Sequence, residues 1–85
     1  GNIVPYPGHL LRLGSKGESV RILQQYLNDL SSIYGGLLPL TADGVFGRRT
    51  AAAVLAFQKL FGLIEDGIAG PNTWDMLMLV WNNAF

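Results

Sequence analysis

The sequence predicts an all-α fold, a compact three-helix bundle with short loops leading into its helices. Three observations predict it. Apolar residues recur at helical spacing in three separate stretches. One loop pattern occurs twice, each time just before one of those stretches. Nothing in the rest of the chain needs a strand longer than two or three residues.

Residues 1–13 read as a linker or N-terminal arm, and residues 14–85 as the helical domain. Pro5, Pro7 and Gly8 exclude a helix in the lead-in, and Val4-Pro5-Tyr6-Pro7 favours an extended path. Its Ile3, Tyr6, Leu10 and Leu11 are apolar enough to pack on the body. The first helix is expected to open at Ser15, because Ser15 and Glu18 fit a capping box. Val20, Leu23, Leu27, Leu30 and Tyr34 then form one stripe, widened by Ile22, Tyr26 and Ile33. Gly35-Gly36 is the expected stop, and Leu37 to Thr41 a connecting loop. The second helix is expected after Gly47, with Thr50, Ala53, Val54, Phe57, Leu60 and Phe61 facing inward. Gly62 suits the position just past its end. Pro71 suits the first position of the third helix, where the amide it lacks would have no partner. Trp74, Leu77, Met78 and Trp81 share its inner face, with Thr73 and Val80 beside them.

The repeat is Asp43-Gly44-Val45-Phe46-Gly47-Arg48-Arg49-Thr50 against Asp66-Gly67-Ile68-Ala69-Gly70-Pro71-Asn72-Thr73, offset by 23 residues. Each Asp-Gly is expected to form a tight turn, the carboxylate accepting from amides ahead of it. The apolar residue that follows should tuck under the bundle. The second Gly should admit the chain to the helix, and the Thr should bond back to the loop. These are structural roles. The D-x-D-x-D-G ligand pattern of a calcium loop is absent.

Composition narrows the function. The 85 residues make one domain, 49% hydrophobic and 14% charged, so disorder is excluded. There is no cysteine, hence no disulfide, thiolate metal site or cysteine nucleophile. Six basic and six acidic residues cancel, which argues against a nucleic-acid partner. No apolar run is long enough for membrane insertion; the uncharged stretch from Met76 to Phe85 is short and holds Asn82 and Asn83. A chain opening on Gly1 rather than Met reads as a piece of a longer protein, with any export signal outside it. His9 is the single histidine and lacks companion ligands for zinc. The acids Glu18, Asp29, Asp43, Glu65, Asp66 and Asp75 form no pair suited to glycoside hydrolysis, and the serines have no histidine to activate them. No enzyme activity, metal or cofactor is expected.

The run Leu11-Arg12-Leu13-Gly14-Ser15-Lys16-Gly17-Glu18-Ser19-Val20 begins a longer pattern. It continues through Leu23-Gln24, Asp43-Gly44-Val45-Phe46-Gly47, Thr50, Ala53-Val54, Phe57-Gln58, Gly62-Leu63, Asp66-Gly67, Gly70, Thr73-Trp74 and Leu77. The whole resembles the peptidoglycan-binding-like domain family. The resemblance implies a three-helix, non-catalytic module of bacterial cell-wall hydrolases. It implies peptidoglycan, through glycan or stem peptide, as partner, with a covalently linked neighbouring domain. It further implies an extracellular, cell-wall or spore-envelope location. Segment 31–40 is longer than the family's usual connection and resembles a subgroup found in tandem arrays. Matrix metalloproteinase pro-regions share the fold but keep a cysteine, which this chain lacks.

For ligand contacts the candidates are Arg48, Arg49, Asn72, Trp81 and Tyr34. Arg48 and Arg49 stand in the first turn of the second helix, where the helix dipole disfavours cations. Either Asp43 or another loop carboxylate compensates them, or an anionic ligand does, such as a stem-peptide carboxylate or the phosphate of a wall polymer. Trp74 is expected in the core. The module is expected to be monomeric. The rival reading is a helical protein-interaction or scaffold module that keeps the fold without peptidoglycan affinity, using Leu37-Leu38 as a partner surface.

Overall fold

Residues 3–85 are described in a computed structural model, with helices α1 (Glu18–Ser31), α2 (Arg48–Leu60) and α3 (Pro71–Ala84). Helix α1 packs against both others. Its Val20, Leu23, Leu27 and Leu30 meet Val54 and Phe57 of α2 and Trp74, Leu77 and Met78 of α3 in one buried cluster. The stripes read from spacing therefore form the core. Their edges differ: Leu60 and Ile33 are about half exposed and lie outside it.

Helix α1 starts three residues later than the capping box suggests. Ser15 Oγ accepts the Arg12 amide instead (3.0 Å), closing a local turn. Glu18 forks onto Arg21, whose Nε donates at 2.8 Å. The backbone of 14–17 is committed elsewhere: Gly17 donates to the Gly44 carbonyl (2.9 Å), Gly14 to that of Phe46 (3.0 Å), and Phe46 to that of Ser15 (2.9 Å). A segment pairing with a distant loop cannot also satisfy helical bonds.

The far end of α1 also departs from expectation. Ser31 and Ser32 hydroxyls donate back to the carbonyls of Asn28 (2.6 Å) and Asp29 (2.7 Å). Such back-bonding competes with the helical ladder. The last turn tightens and α1 ends before Tyr34, although the Tyr34 amide still donates to the Leu30 carbonyl (2.9 Å). Leu37 is buried and Leu38 is 75% exposed, so the expected two-leucine surface reduces to Leu38.

Helix α2 closes as read. Gly62 takes φ 70°, its amide donates to Lys59 (3.4 Å), and the Leu63 amide reaches Gln58 (2.8 Å). That bond pair defines a Schellman end, which needs a residue without Cβ strain. Pro71 opens α3 at its first turn.

The lead-in lies along α3. Trp74 Nε1 donates to the Val4 carbonyl (2.8 Å), and the Tyr6 ring meets Trp74 edge-on at 6.3 Å. Leu11 is buried and exchanges two backbone bonds with Ala69 (3.1 and 2.8 Å). Ile3 and Leu10 stay about half exposed rather than packed.

Candidate functional site

Two buried glutamines organise the repeated loops. Each is 1% exposed and sits within the apolar stripe of its helix. Gln24 of α1 donates from Nε2 to Asp43 Oδ1 (3.1 Å), the Val45 carbonyl (2.9 Å) and Thr50 Oγ1 (2.9 Å). Its Oε1 accepts the Gly44 amide (2.8 Å). Gln58 of α2 does the same one repeat later. It donates to Asp66 Oδ1 (2.9 Å), the Ile68 carbonyl (3.0 Å) and Thr73 Oγ1 (3.0 Å). It accepts the amides of Asp66 (3.1 Å) and Gly67 (2.9 Å). Each glutamine thus ties its own helix to the next loop and to the first turn of the next helix.

The loops turn as expected. Asp43 Oδ1 accepts the Val45 amide (3.0 Å), and Asp66 Oδ1 accepts that of Ile68 (2.9 Å). These amide bonds, then the glutamine bonds, hold both carboxyls below the ordinary aspartate pKa. Two details differ. The threonines bond the glutamines rather than their loops. The residue that tucks under the bundle is Phe46 or Ala69, at most 1% exposed, whereas Val45 is 45% exposed and Ile68 half-buried. Glycine is required at Gly44, where φ is 77° and a Cβ would stand 3.1 Å from the Gly17 carbonyl oxygen.

The repeated frame makes the same surface twice. A cleft of about 320 Å³ opens beside the first loop and another of about 440 Å³ beside the second. Eight lining positions of one are 23-residue partners of the other: 40, 41, 43, 45, 47, 48, 49 and 50 against 63, 64, 66, 68, 70, 71, 72 and 73. The pairs Asp43/Asp66, Gly47/Gly70 and Thr50/Thr73 are identical. The pairs Thr41/Ile64, Arg48/Pro71 and Arg49/Asn72 are not.

Arg48 and Arg49 are exposed at the first cleft, and among the described residues neither has an ion-pair partner. Asp43 is engaged by Gln24 and its own turn, so among the described residues no carboxylate pairs with these arginines to offset the dipole conflict at the start of α2. Asn72 is exposed at the second cleft.

The aromatic candidates lie elsewhere. Trp81 is half-buried, stacks on Tyr26 at 4.4 Å and against Phe85 at 5.8 Å, and donates Nε1 to Asp29 Oδ2 (2.9 Å). Tyr34 meets Phe61 edge-on at 5.4 Å. Neither lines the two repeat clefts. Gln24 and Gln58 were not anticipated as organising residues. Their signal was a polar residue following Leu23 and Phe57 on a core-facing stripe, where an amide must find partners.

A helical frame carrying two repeated, glutamine-pinned loops with open clefts defines a small binding module. The chain belongs to the family described as "Putative peptidoglycan binding domain", whose profile matches residues 16–77. It is 45% identical over 64 residues to the zinc D-Ala-D-Ala carboxypeptidase of Streptomyces albus G, covering 75% of this chain and 24% of that protein. It is 38% identical over 77 residues to the spore cortex-lytic enzyme of Bacillus cereus, covering 91% of this chain and 28% of that protein. The crystal structure of the SleB N-terminal domain superposes with a TM-score of 0.78 at 37% identity, over 89% of this chain and 97% of that one. The chain thus spans about a quarter of the length of these two curated relatives. It is the binding module and not itself an enzyme.

Proposed function

We propose that this module holds a longer protein, a cell-wall hydrolase or a tandem-repeat wall or spore protein, against peptidoglycan. Its first cleft would take an anionic group of the wall. The observation that carries the cleft assignment is the pair of guanidiniums of Arg48 and Arg49, unpartnered among the described residues, beside a cleft of about 320 Å³. Two guanidiniums at the start of a helix match a carboxylate or phosphate in charge and in hydrogen-bond geometry. A stem peptide offers the first and an anionic wall polymer the second. Asn72 serves the second cleft, while Trp81 and Tyr34 act through packing. The cortex-lytic and carboxypeptidase relatives support a place in the cell wall or spore envelope. Residues 14–85, with the lead-in laid along α3, are the working unit.

The test is sedimentation with insoluble peptidoglycan, native and stripped of teichoic acid. Retention on both samples supports a stem-peptide or glycan ligand. Loss on the stripped sample moves the ligand to the polymer. Arg48→Ala with Arg49→Ala should weaken retention without lowering the melting temperature. An unchanged pull-down removes the arginines from the site. A folded wild-type module that binds neither sample overturns the reading and favours the scaffold alternative, for which Leu38, 75% exposed, offers apolar surface.

A further inference from the structure

We propose that the second repeat cleft is a separate subsite for an uncharged acetamido sugar of the glycan strand. The inference rests on the peptidoglycan reading above and divides its labour between the two clefts. The second cleft keeps the frame of the first but carries none of its cationic groups. Pro71 and Asn72 stand where the first cleft has Arg48 and Arg49, and Ile64 stands where it has Thr41. Proline also removes one amide from the start of α3, which makes that end a poorer anion site than the start of α2. The lead-in adds Leu10 to the wall.

What remains is chemistry suited to a neutral, amphipathic ring. Ile64 is 82% exposed and Leu10 48% exposed, so the cleft is flanked by aliphatic surface left in water. Ile68 continues that surface. Among these groups stand Asp66 and Asn72. The Oδ1 of Asp66 is used by its turn and by Gln58, while its Oδ2 has no protein partner among the described residues. A carboxylate oxygen accepts from sugar hydroxyls, and an amide serves the acetamide on either side of its own dipole. Aliphatic side chains cover the acetamide methyl and the C–H face of the ring. With no arginine beside it to offset its charge, as Arg48 and Arg49 stand beside Asp43, this carboxylate repels a stem-peptide carboxylate, so the occupant is neutral.

The probe is tri-N-acetylchitotriose, with maltotriose as the control lacking acetamides. Both are titrated at millimolar concentration into the labelled module and followed by amide and methyl NMR. The expected result is saturable shifts at Ile64, Ile68, Gly70 and Asn72 with the acetylated sugar, weak response to maltotriose, and little dependence on salt. Ile64→Ser should weaken the sugar about fivefold. Since Ile64 is exposed, the variant keeps its fold, which an unchanged melting curve verifies. Arg48→Ala with Arg49→Ala should leave sugar binding intact. No saturable shift, shifts confined to residues 41–50, or equal response to maltotriose would each overturn the subsite. If the sugar fails while wall sedimentation persists, only this subsite falls. If the wild type does not sediment with wall, the broader reading falls whatever the sugar does.

Discussion

The two loops 43–50 and 66–73 share a frame and differ at their surface, and the division between the two follows backbone hydrogen bonding. Asp, Gly and Thr recur because each satisfies a bond within the turn or to the glutamine of the preceding helix. Among the changed pairs, Thr41/Ile64, Arg48/Pro71 and Arg49/Asn72 line the clefts. The frame tolerates their variation because, among the described residues, their side chains carry no structural bond. A repeat of this kind lets one fold present two unlike surfaces.

The strongest way to break the comparison is to remove a pin. Gln24→Leu and Gln58→Leu keep volume but leave buried amide, carbonyl and hydroxyl groups without partners. Each should cost about 3 kcal/mol in urea unfolding. Gln58 also receives the Asp66 amide, so its loss should be at least as large. A negligible loss at Gln24 would show that the first loop stands on its Asp turn alone.

Glycine substitutions sharpen the difference between the loops. Gly44→Ala should cost about 2 kcal/mol, from its left-handed backbone and the Gly17 carbonyl 3.1 Å from the new Cβ. Gly67→Ala shares the backbone strain, but its nearest neighbour is the Ala51 carbonyl at 3.6 Å. It should cost about 1 kcal/mol. Equal losses in thermal melts would mean that the contact with Gly17 relaxes freely.

Much of this was legible in the sequence. Helical periodicity gave the core, and the repeat gave both Asp turns. Pro71 and Gly62 marked helix ends because their backbone chemistry allows little else. Four things were hidden. Ser31 and Ser32 ended α1 through hydroxyl bonds that compete with a stripe still running to Tyr34. Ser15 was drawn into the Arg12 turn because its backbone pairs with Phe46, a contact far along the chain. The glutamines read as gaps in apolar stripes, since one helix supplies the amide and a distant loop its partners. The clefts were hidden for the same reason, because Leu10 and Asn72 come to line one cleft only in the fold.

Acid should act on both loops alike and more gently than the substitutions above. Asp43 and Asp66 have folded-state pKa values below their ordinary range, chiefly through the Val45 and Ile68 amides. Their stabilising effect is complete above the unfolded pKa near 4 and is lost as pH falls through the folded values. Melting temperature should therefore begin to drop as pH falls below about 5 and go on dropping through the lowered folded-state values. Asp43→Asn with Asp66→Asn should flatten that drop, because the amide oxygen still accepts but no longer titrates. A drop of the same size in the double variant would place the acid sensitivity elsewhere, with Glu18 and its Arg21 pair the next group to test.

The smallest stability effect belongs to the change that makes the first cleft resemble the second. Gly47 has φ −100° and ψ −166°, close to the −91° and −169° of Gly70 ahead of Pro71. That extended geometry accepts a following proline. Arg48→Pro with Arg49→Asn should therefore fold, and should gain about 0.5 kcal/mol as two cations leave the positive end of α2. Retention on native wall should fall in the same variant and lose its dependence on salt, while acetylated-sugar binding at the second cleft stays unchanged. If stability rises and retention does not fall, the arginines are a solvated helix start and the anionic half of the site lies on another face. If retention falls together with stability, the loop itself has been disturbed, and the grafted proline rather than the lost charge is the cause.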